Sequence, residues 1–166
     1  RSSCLRRSKG RGRSAPCEIV GRDDHGRTLT APLHWRQQRN SGAGLERCIF
    51  CEPEREILAQ NARAIAVLDA FPVSPGHALV LPRHHVATIW DLDPDEYADC
   101  FALARDLRLI LESRFNPDGF NVGANCGEAA GQSVSHAHIH VIPRYEGDTP
   151  NPRGGVRHVI PLKGNY

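Results

Sequence analysis

The chain has 166 residues, which is enough for one well-buried domain and too few for two large ones. Its 40% hydrophobic and 24% charged residues are ordinary for a globular protein, and the absence of a run of about 18 apolar residues predicts no membrane span. The net charge of +2 conceals an asymmetry, because residues 1–44 carry ten Lys/Arg against three Asp/Glu and the remainder carries 11 against 16.

Residues 1–44 are rich in Arg, Ser and Gly and show no sustained apolar periodicity. Such a segment buries too little surface to offset its ordering entropy, so we predict a basic, disordered extension followed by one domain at 45–166. An arm that binds nucleic-acid phosphates is the alternative. The basic start lacks an apolar signal core, so a cytoplasmic location is expected. Because the chain begins with Arg and contains no Met, we also expect either that it lacks its natural start or that its N-terminus is misassigned or processed.

The first part of the domain predicts an antiparallel hairpin. Residues 57–61 are predicted as a short helix or turn. The apolar run Ala64–Leu68 predicts a strand, and 77–81 predicts a second strand that ends at Pro82. The Pro75-Gly76 turn between the two strands indicates that they pair as neighbours.

A long amphipathic helix follows the hairpin. Asp93 is the predicted N-cap, Pro94 occupies the first helical position, and Glu96 completes a capping box. The helix is predicted to end before Asn116-Pro117. Apolar residues spaced by three and four positions predict the buried stripe. That stripe consists of Tyr97, Phe101, Ala104, Leu107 and Leu111.

The remaining elements complete an α+β domain. Strands are predicted at 120–124 and 134–142 with a loop at 125–132 between them, and 156–160 is a candidate edge strand. A hairpin, a helix and a second hairpin in this order favour an antiparallel sheet covered by the helix.

Residues 135–142 read SHAHIHVI, in which residues 136–141 alternate between histidine and an apolar residue. On a strand, His136, His138 and His140 share one face, and the apolar residues between them pack against the helix. Three interpretations compete: histidines lining a wet surface, a catalytic metal site, and nucleophilic attack by an imidazole on phosphorus.

The loop before the histidines favours the third interpretation. Gly127 and Gly131 allow close approach, and Gln132 with the Ser133 hydroxyl supplies hydrogen-bond donors near the histidine face. An anionic phosphate needs such donors, whereas a metal site alone does not.

Four segments carry a resemblance to a known family: GQSVSHAHIHVIPRY (131–145), CIFC (48–51), GHALVLPRHHV (76–86) and DGFNVGANCGEAAGQ (118–132). Together they resemble the histidine triad (HIT) family over about residues 46–162. The three alternating histidines and their apolar neighbours resemble the family pattern His-φ-His-φ-His-φ-φ, where φ is apolar.

This resemblance implies a fold and an activity. The expected fold is a HIT-like five-stranded antiparallel sheet with one long and one or two short helices, usually paired as a homodimer. The expected reaction is hydrolysis at the α-phosphorus of dinucleoside polyphosphates or nucleoside phosphoramidates through a nucleotidyl-histidine intermediate. A histidine at the third triad position resembles the hydrolase branches, so water is the expected acceptor and no organic cofactor is expected.

The resemblance also implies residue roles. By its position in the motif, His138 is the nucleophile, surrounded by His136, His140 and His77. An adenine-containing nucleotide is the expected partner. Its implied contacts are Asp69 to the ribose hydroxyls, with Asn125, Gln132 and Ser133 at the phosphate.

The pair Cys48-x-x-Cys51 can hold zinc if two further ligands are nearby. Similar bacterial members use such a pair with a histidine after the second strand and the first triad histidine, which here are His85 and His136. A structural Zn²⁺ is therefore expected, and His84 beside His85 is the other candidate ligand. A reduced cysteine pair and a redox switch are the alternatives.

Two other function classes stay open from the sequence. One is a nucleotide-binding sensor without turnover, which would keep the pocket and lose the chemistry. The other is an enzyme that processes adenylated nucleic-acid ends with the help of the basic arm at 1–44.

Overall fold

The structure is a computed structural model that divides the chain into two units, Arg1–Gly44 and Leu45–Tyr166. In the first unit, β1 (Val20–Arg22) pairs antiparallel with β2 (Thr28–Thr30). The disorder predicted for the rest of that unit falls outside the described residues. The described residues are 20–22, 28–30, 48–51, 53–161 and 163–164.

The second unit is built on a five-stranded antiparallel sheet in the order β3-β4-β5-β7-β6. Each neighbouring pair is antiparallel, which confirms the predicted sheet. The predicted hairpin is β4 and β5, with Leu68 opposite Ala78. The strands are β3 (Ile57–Gln60), β4 (Ala64–Leu68), β5 (Ala78–Pro82), β6 (Gly119–Gly123) and β7 (Ile139–Arg144).

The long helix α1 (Pro94–Phe115) begins and ends where its sequence predicts. The Asp93 carboxylate accepts hydrogen bonds from the backbone N–H groups of Asp95 and Glu96 at 2.9 and 2.8 Å, and the Glu96 carboxylate accepts from Asp93 N. Asn116 ends the helix in the left-handed conformation at φ 48°. No helix in the described part of the chain combines the length and apolar character that spanning a membrane requires.

One face of α1 packs on the sheet, but the predicted stripe is wrong at its N-terminal end. Tyr97 and Phe101 are each 37% exposed, and their rings pack against each other with centroids 4.7 Å apart. Phe101 lies about 100° around the helix from Cys100, which takes the buried position instead. The buried helix residues are Cys100, Leu103, Ala104, Leu107 and Leu111.

Three predicted elements differ from the structure. Residues 57–60 form strand β3 rather than a helix, because β4 supplies backbone partners for a run too short to be a stable helix. Gly155–Val159 is a 3-10 helix rather than an edge strand, following a chain reversal at Gly154 with φ 90°. The strand predicted at 134–142 begins only at Ile139. Two further 3-10 helices cover Ile89–Asp91 and Glu128–Ala130.

Candidate active site

The three alternating histidines lie where β7 begins. His140 is on the strand, whereas the buried His136 and His138 occupy the extended segment before it. Alternation nevertheless persists, because Ala137 and Ile139 are buried in the cluster that also holds the α1 leucines. The helix side of this segment is therefore core, and the opposite side carries the imidazoles.

The hydrogen bond of His138 determines which of its ring nitrogens is basic. Its Nδ1 lies 2.7 Å from the carbonyl oxygen of His136. A carbonyl only accepts hydrogen bonds, so Nδ1 carries the proton and Nε2 keeps its lone pair. The Phe50 ring packs against the imidazole with centroids 5.2 Å apart. The ring is thus held in one orientation with one tautomer.

A second hydrogen-bonded group joins β4, β5 and β7 on the same face. Nε2 of His77 lies 3.0 Å from Nδ1 of His140, and the Val73 N–H donates to Nδ1 of His77 at 3.3 Å. The ring proton of His77 therefore resides on Nε2 and is donated to His140, which leaves the proton of His140 on its own Nε2. The Asp69 carboxylate is 3.5 Å from Nδ1 of His77.

Burial keeps this pair of imidazoles neutral. Burial lowers the pKa of His77 although Asp69 opposes the change. Burial, followed by the nearby His138 and His77, lowers the pKa of His140 to about 4. At neutral pH His140 is therefore a neutral N–H donor rather than a cation.

The loop between β6 and β7 is held together by the side chain of Gln132. Its Oε1 accepts from the Gly127 N–H at 2.7 Å, and its Nε2 donates to the carbonyls of Ala87 and Val134 at 2.6 and 3.0 Å. The amide thus has its donors engaged within the protein. A direct phosphate contact by Gln132 would have to replace one of these bonds.

Ser133 and Asn125, the other two expected phosphate contacts, have side-chain donors available for a ligand. The Ser133 side chain is exposed, and the half-buried Asn125 lies beside the turn at Gly131, whose φ is 84°. Neither side chain forms a hydrogen bond within the described part of the chain, so both can serve a ligand.

The Cys48-x-x-Cys51 turn comes together with two histidines, as expected for a metal site. Sγ of Cys48 and of Cys51 lie 3.4 and 3.6 Å from Nδ1 of His136, and Sγ of Cys51 lies 3.2 Å from Nδ1 of His85. All four ligand atoms are within 4.8 Å of one another. In a tetrahedral zinc site the known bond lengths separate a sulfur from a nitrogen by about 3.5 Å. The donor set therefore fits zinc.

Two neighbouring contacts define the histidine ligands. Nε2 of His136 lies 3.0 Å from the carbonyl of Pro82, so it is protonated and Nδ1 has its lone pair directed at the cysteines. Nδ1 of His84 lies 3.3 Å from the Glu96 carboxylate, outside the cluster. His85 is thus the ligand candidate of the pair.

Comparison with known proteins identifies the family. Residues 51–147 match the HIT domain. The chain belongs to the HIT family.

Three relatives of this HIT protein are informative. It is 37% identical over 98 residues to the bis(5'-adenosyl)-triphosphatase of Dictyostelium discoideum, covering 59% of this chain and 66% of the relative. It is also 37% identical over 98 residues to an AP-4-A phosphorylase of Mycobacterium tuberculosis, covering 58% of this chain and 50% of the relative. A Zn-bound HIT structure from Mycobacterium smegmatis is 30% identical, with TM-score 0.59, covering 65% of this chain and 82% of that one.

Several site features of this HIT protein escape sequence reasoning. Phe50 touches His138, yet the CIFC motif draws attention only to its cysteines. The carbonyls of Pro82 and His136 fix two tautomers, and backbone atoms carry no sequence signal. The one sequence signal for Phe50 is an aromatic residue between the two cysteines, and the structure buries it.

The low pKa of His140 predicts a pH dependence of stability. Between about pH 6.5 and pH 4, an unfolded chain binds a proton at residue 140 that the folded state refuses. The free energy of unfolding should therefore fall as the pH is lowered through this window, and less steeply in His140→Asn. Urea unfolding of both proteins at pH 7 and pH 4.5 measures the difference, and parallel pH profiles would contradict the prediction.

Proposed function

We propose that this HIT protein cleaves dinucleoside polyphosphates at the α-phosphorus with His138 as the covalent nucleophile. The observation that carries the proposal is the 2.7 Å bond from Nδ1 of His138 to the His136 carbonyl, which leaves Nε2 as a buried, oriented base. Two relatives whose names specify diadenosine polyphosphates support the substrate class. Nucleoside phosphoramidates present the same phosphorus and are the second expected substrates.

The reaction proceeds by two displacements. Nε2 of His138 attacks the α-phosphorus, the bond to the bridging oxygen breaks, and the distal nucleotide leaves. Water then attacks the phosphorus of the nucleotidyl-histidine, the P–N bond breaks, and a nucleoside monophosphate is released with His138 restored. Splitting the reaction in this way replaces one difficult step by two easier ones.

The neighbouring imidazoles supply hydrogen bonds and no net charge. Neutral His140 donates a hydrogen bond from its Nε2–H to an oxygen of the substrate, and the Nε2–H of His77 holds His140 in that tautomer. The distal nucleotide leaves as an anion, and the proton of the attacking water passes to solvent. Asn125 and Ser133 donate to the phosphate oxygens as charge spreads over them. Gln132 acts as a positioning residue, because its amide holds the loop that carries these donors.

The ribose contact is proposed for Asp69. Its side chain is 15% exposed at the end of β4, beside His77. One carboxylate oxygen already accepts from the Phe71 N–H at 2.9 Å, which fixes the group in place. The remaining acceptor capacity suits the two hydroxyl donors of a ribose.

A structural zinc ion is proposed for Cys48, Cys51, His85 and His136, supported by the donor set and by the Zn-bound relative. The ion would fix the backbone of His136, whose carbonyl orients His138, and would take no part in bond breaking. The homodimer, the cytoplasmic location, the absence of an organic cofactor and a nucleic-acid role for residues 1–44 stay predictions.

Trapping the intermediate tests the proposal. Rapid acid-free quenching during turnover of diadenosine tetraphosphate, followed by intact-mass analysis, should show a nucleotidyl adduct in the wild type and none in His138→Asn. Breakdown in phosphate buffer should still yield AMP; ADP would instead indicate phosphate as the acceptor, as the name of the phosphorylase relative suggests for that protein. Tight AMP binding with neither adduct nor turnover would favour the sensor.

A further inference from the structure

An open cavity lies outside the histidine site. It has a volume of about 480 Å³ and is lined by Arg144 at the end of β7 and by residues 149–152, 155 and 158 of the C-terminal segment, which is described over 149–161 and 163–164. Small-molecule sites typically enclose roughly 300–1,000 Å³, so this space is large enough for a nucleoside. None of the residues assigned to the proposed reaction lines it.

The lining combines polar groups with flat apolar ones. Thr149, Asn151 and His158 contribute polar side chains, and the rings of Pro150 and Pro152 alternate with them along the chain. Polar groups that fix orientation, set among apolar surface, are the usual composition of a site for an organic ligand.

This cavity opens on the same face of the sheet as the catalytic histidines. Arg144, which lines it, is four residues after His140 on β7, so both side chains point to one face about 13 Å apart. Arg144 is held there by paired bonds to Asp148 at 2.7 Å and by Asn121 of the neighbouring strand. Strand β7 therefore runs without interruption from the histidine site to the cavity.

In the strand order, the cavity and the proposed ribose contact lie on opposite sides of His140. Asp69 follows β4 and His77 precedes β5, whereas the cavity is lined by Arg144 of β7 and by Gly155, which lies beside Asn121 of β6. A nucleotide with its ribose at Asp69 and its α-phosphorus at His138 occupies the β4 side of the site. The rest of a long substrate then has the β6 side to extend along.

Charge favours an anionic occupant. Residues 45–148 carry eight Lys/Arg and 16 Asp/Glu, whereas residues 149–166 carry three Lys/Arg and no Asp/Glu. A basic segment on an acidic domain concentrates the local attraction for phosphate in one place.

The segment is also preformed. A Cβ on Gly154, whose φ is 90°, would lie 2.2 Å from the carbonyl oxygen of Gly164, so the turn at Gly154 packs against the later part of the segment at a contact only glycine permits. Nε2 of His158 donates to the Arg153 carbonyl at 2.8 Å within the same turn. A preformed site loses little ordering entropy when it binds.

We propose that this cavity binds the leaving half of the substrate, the distal nucleoside with its adjoining phosphates. The proposal rests on the proposed function, since it assigns a site to the part of a dinucleoside polyphosphate that departs when His138 attacks. The C-terminal segment thereby selects dinucleotides over substrates with a small leaving group.

Filling the cavity tests this selectivity. Thr149→Trp places bulk inside it, and Val159→Trp places the same bulk in the same segment at a position that is 75% exposed and outside the lining. We expect the ratio of kcat/KM for diadenosine tetraphosphate to that for adenosine phosphoramidate to fall about tenfold in Thr149→Trp. The ratio should keep its wild-type value in Val159→Trp, and equal ratios in all three proteins would overturn the proposal.

A binding measurement tests the proposed cavity site independently of turnover. Amide chemical shifts of His138→Asn are recorded with AMP and with a non-hydrolysable diadenosine tetraphosphate. The dinucleotide should shift Thr149, Asn151 and Gly155, and AMP at low concentration should not. If the wild type turns over neither substrate, the proposed function fails while these shifts still decide the site; their absence with the dinucleotide refutes it.

Discussion

Replacing His138 by alanine is expected to lower kcat for diadenosine tetraphosphate by at least about 10⁴-fold, the scale on which enzymes lose rate with their nucleophile. The reason is structural as well as chemical. His138 is the triad member whose Nδ1 is fixed by a carbonyl and whose Nε2 forms no hydrogen bond within the described residues. No neighbour can take over this role, because His136 faces the cysteines and His140 is paired with His77.

Nucleotide binding should survive in the variant, since Asp69 and the loop donors are untouched. Kinetics by chromatographic separation of products, together with AMP affinity by calorimetry, measure both quantities. His84→Ala is the matched control, because its imidazole is exposed and contacts Glu96 outside the metal cluster. Full activity of His138→Ala would end the nucleophile hypothesis, whatever the affinity.

Local sequence rules predicted the elements whose stability is local. The capping box at Asp93 and the left-handed end at Asn116 define α1 in the structure as in the sequence. The AIAVL run forms β4 with the predicted bounds. Strand β3 was predicted as a helix or turn because four residues carry no decisive period, and only pairing with β4 determines its conformation.

The candidate site likewise combines features that local sequence predicts with features that depend on long-range contacts. Alternation placed the triad histidines on one face, and the spacing of the cysteines indicated a metal site. The pairing of His77 with His140 and the three bonds of Gln132 join residues 63 and up to 45 positions apart, respectively. Such contacts depend on strand order and loop path, which a single sequence does not reveal.

In the structure, His136 links the cysteine cluster to His138, a connection that the sequence motif does not show. His136 gives Nδ1 to the cysteine cluster and its carbonyl to His138, so one residue belongs to both. In the proposed mechanism, the first triad histidine acts as a positioning residue that orients His138 through the backbone. Its substitution should act on the orientation of His138 and on metal binding together.

Because His136 links the two groups, we expect substitution of a cysteine in the metal cluster to have the second large effect. Cys48→Ser is expected to reduce bound zinc from one ion per chain to a small fraction, because a serine oxygen is a poor substitute for a thiolate. Loss of a few kcal/mol of metal-linked stability should lower Tm by about 5–10 °C in a domain of this size. Metal analysis of the purified protein and thermal unfolding measure the two effects.

Cys126→Ser is the matched control, since Cys126 is half-buried like Cys48 and lies outside the cluster. It should keep its zinc and shift Tm far less. Chelation of the wild type should lower Tm and slow turnover without abolishing it at low temperature, because the proposed ion would hold His136 and would break no bond. Immediate and complete loss of activity on chelation, with the fold intact, would instead make the metal catalytic and displace His138 from the chemistry.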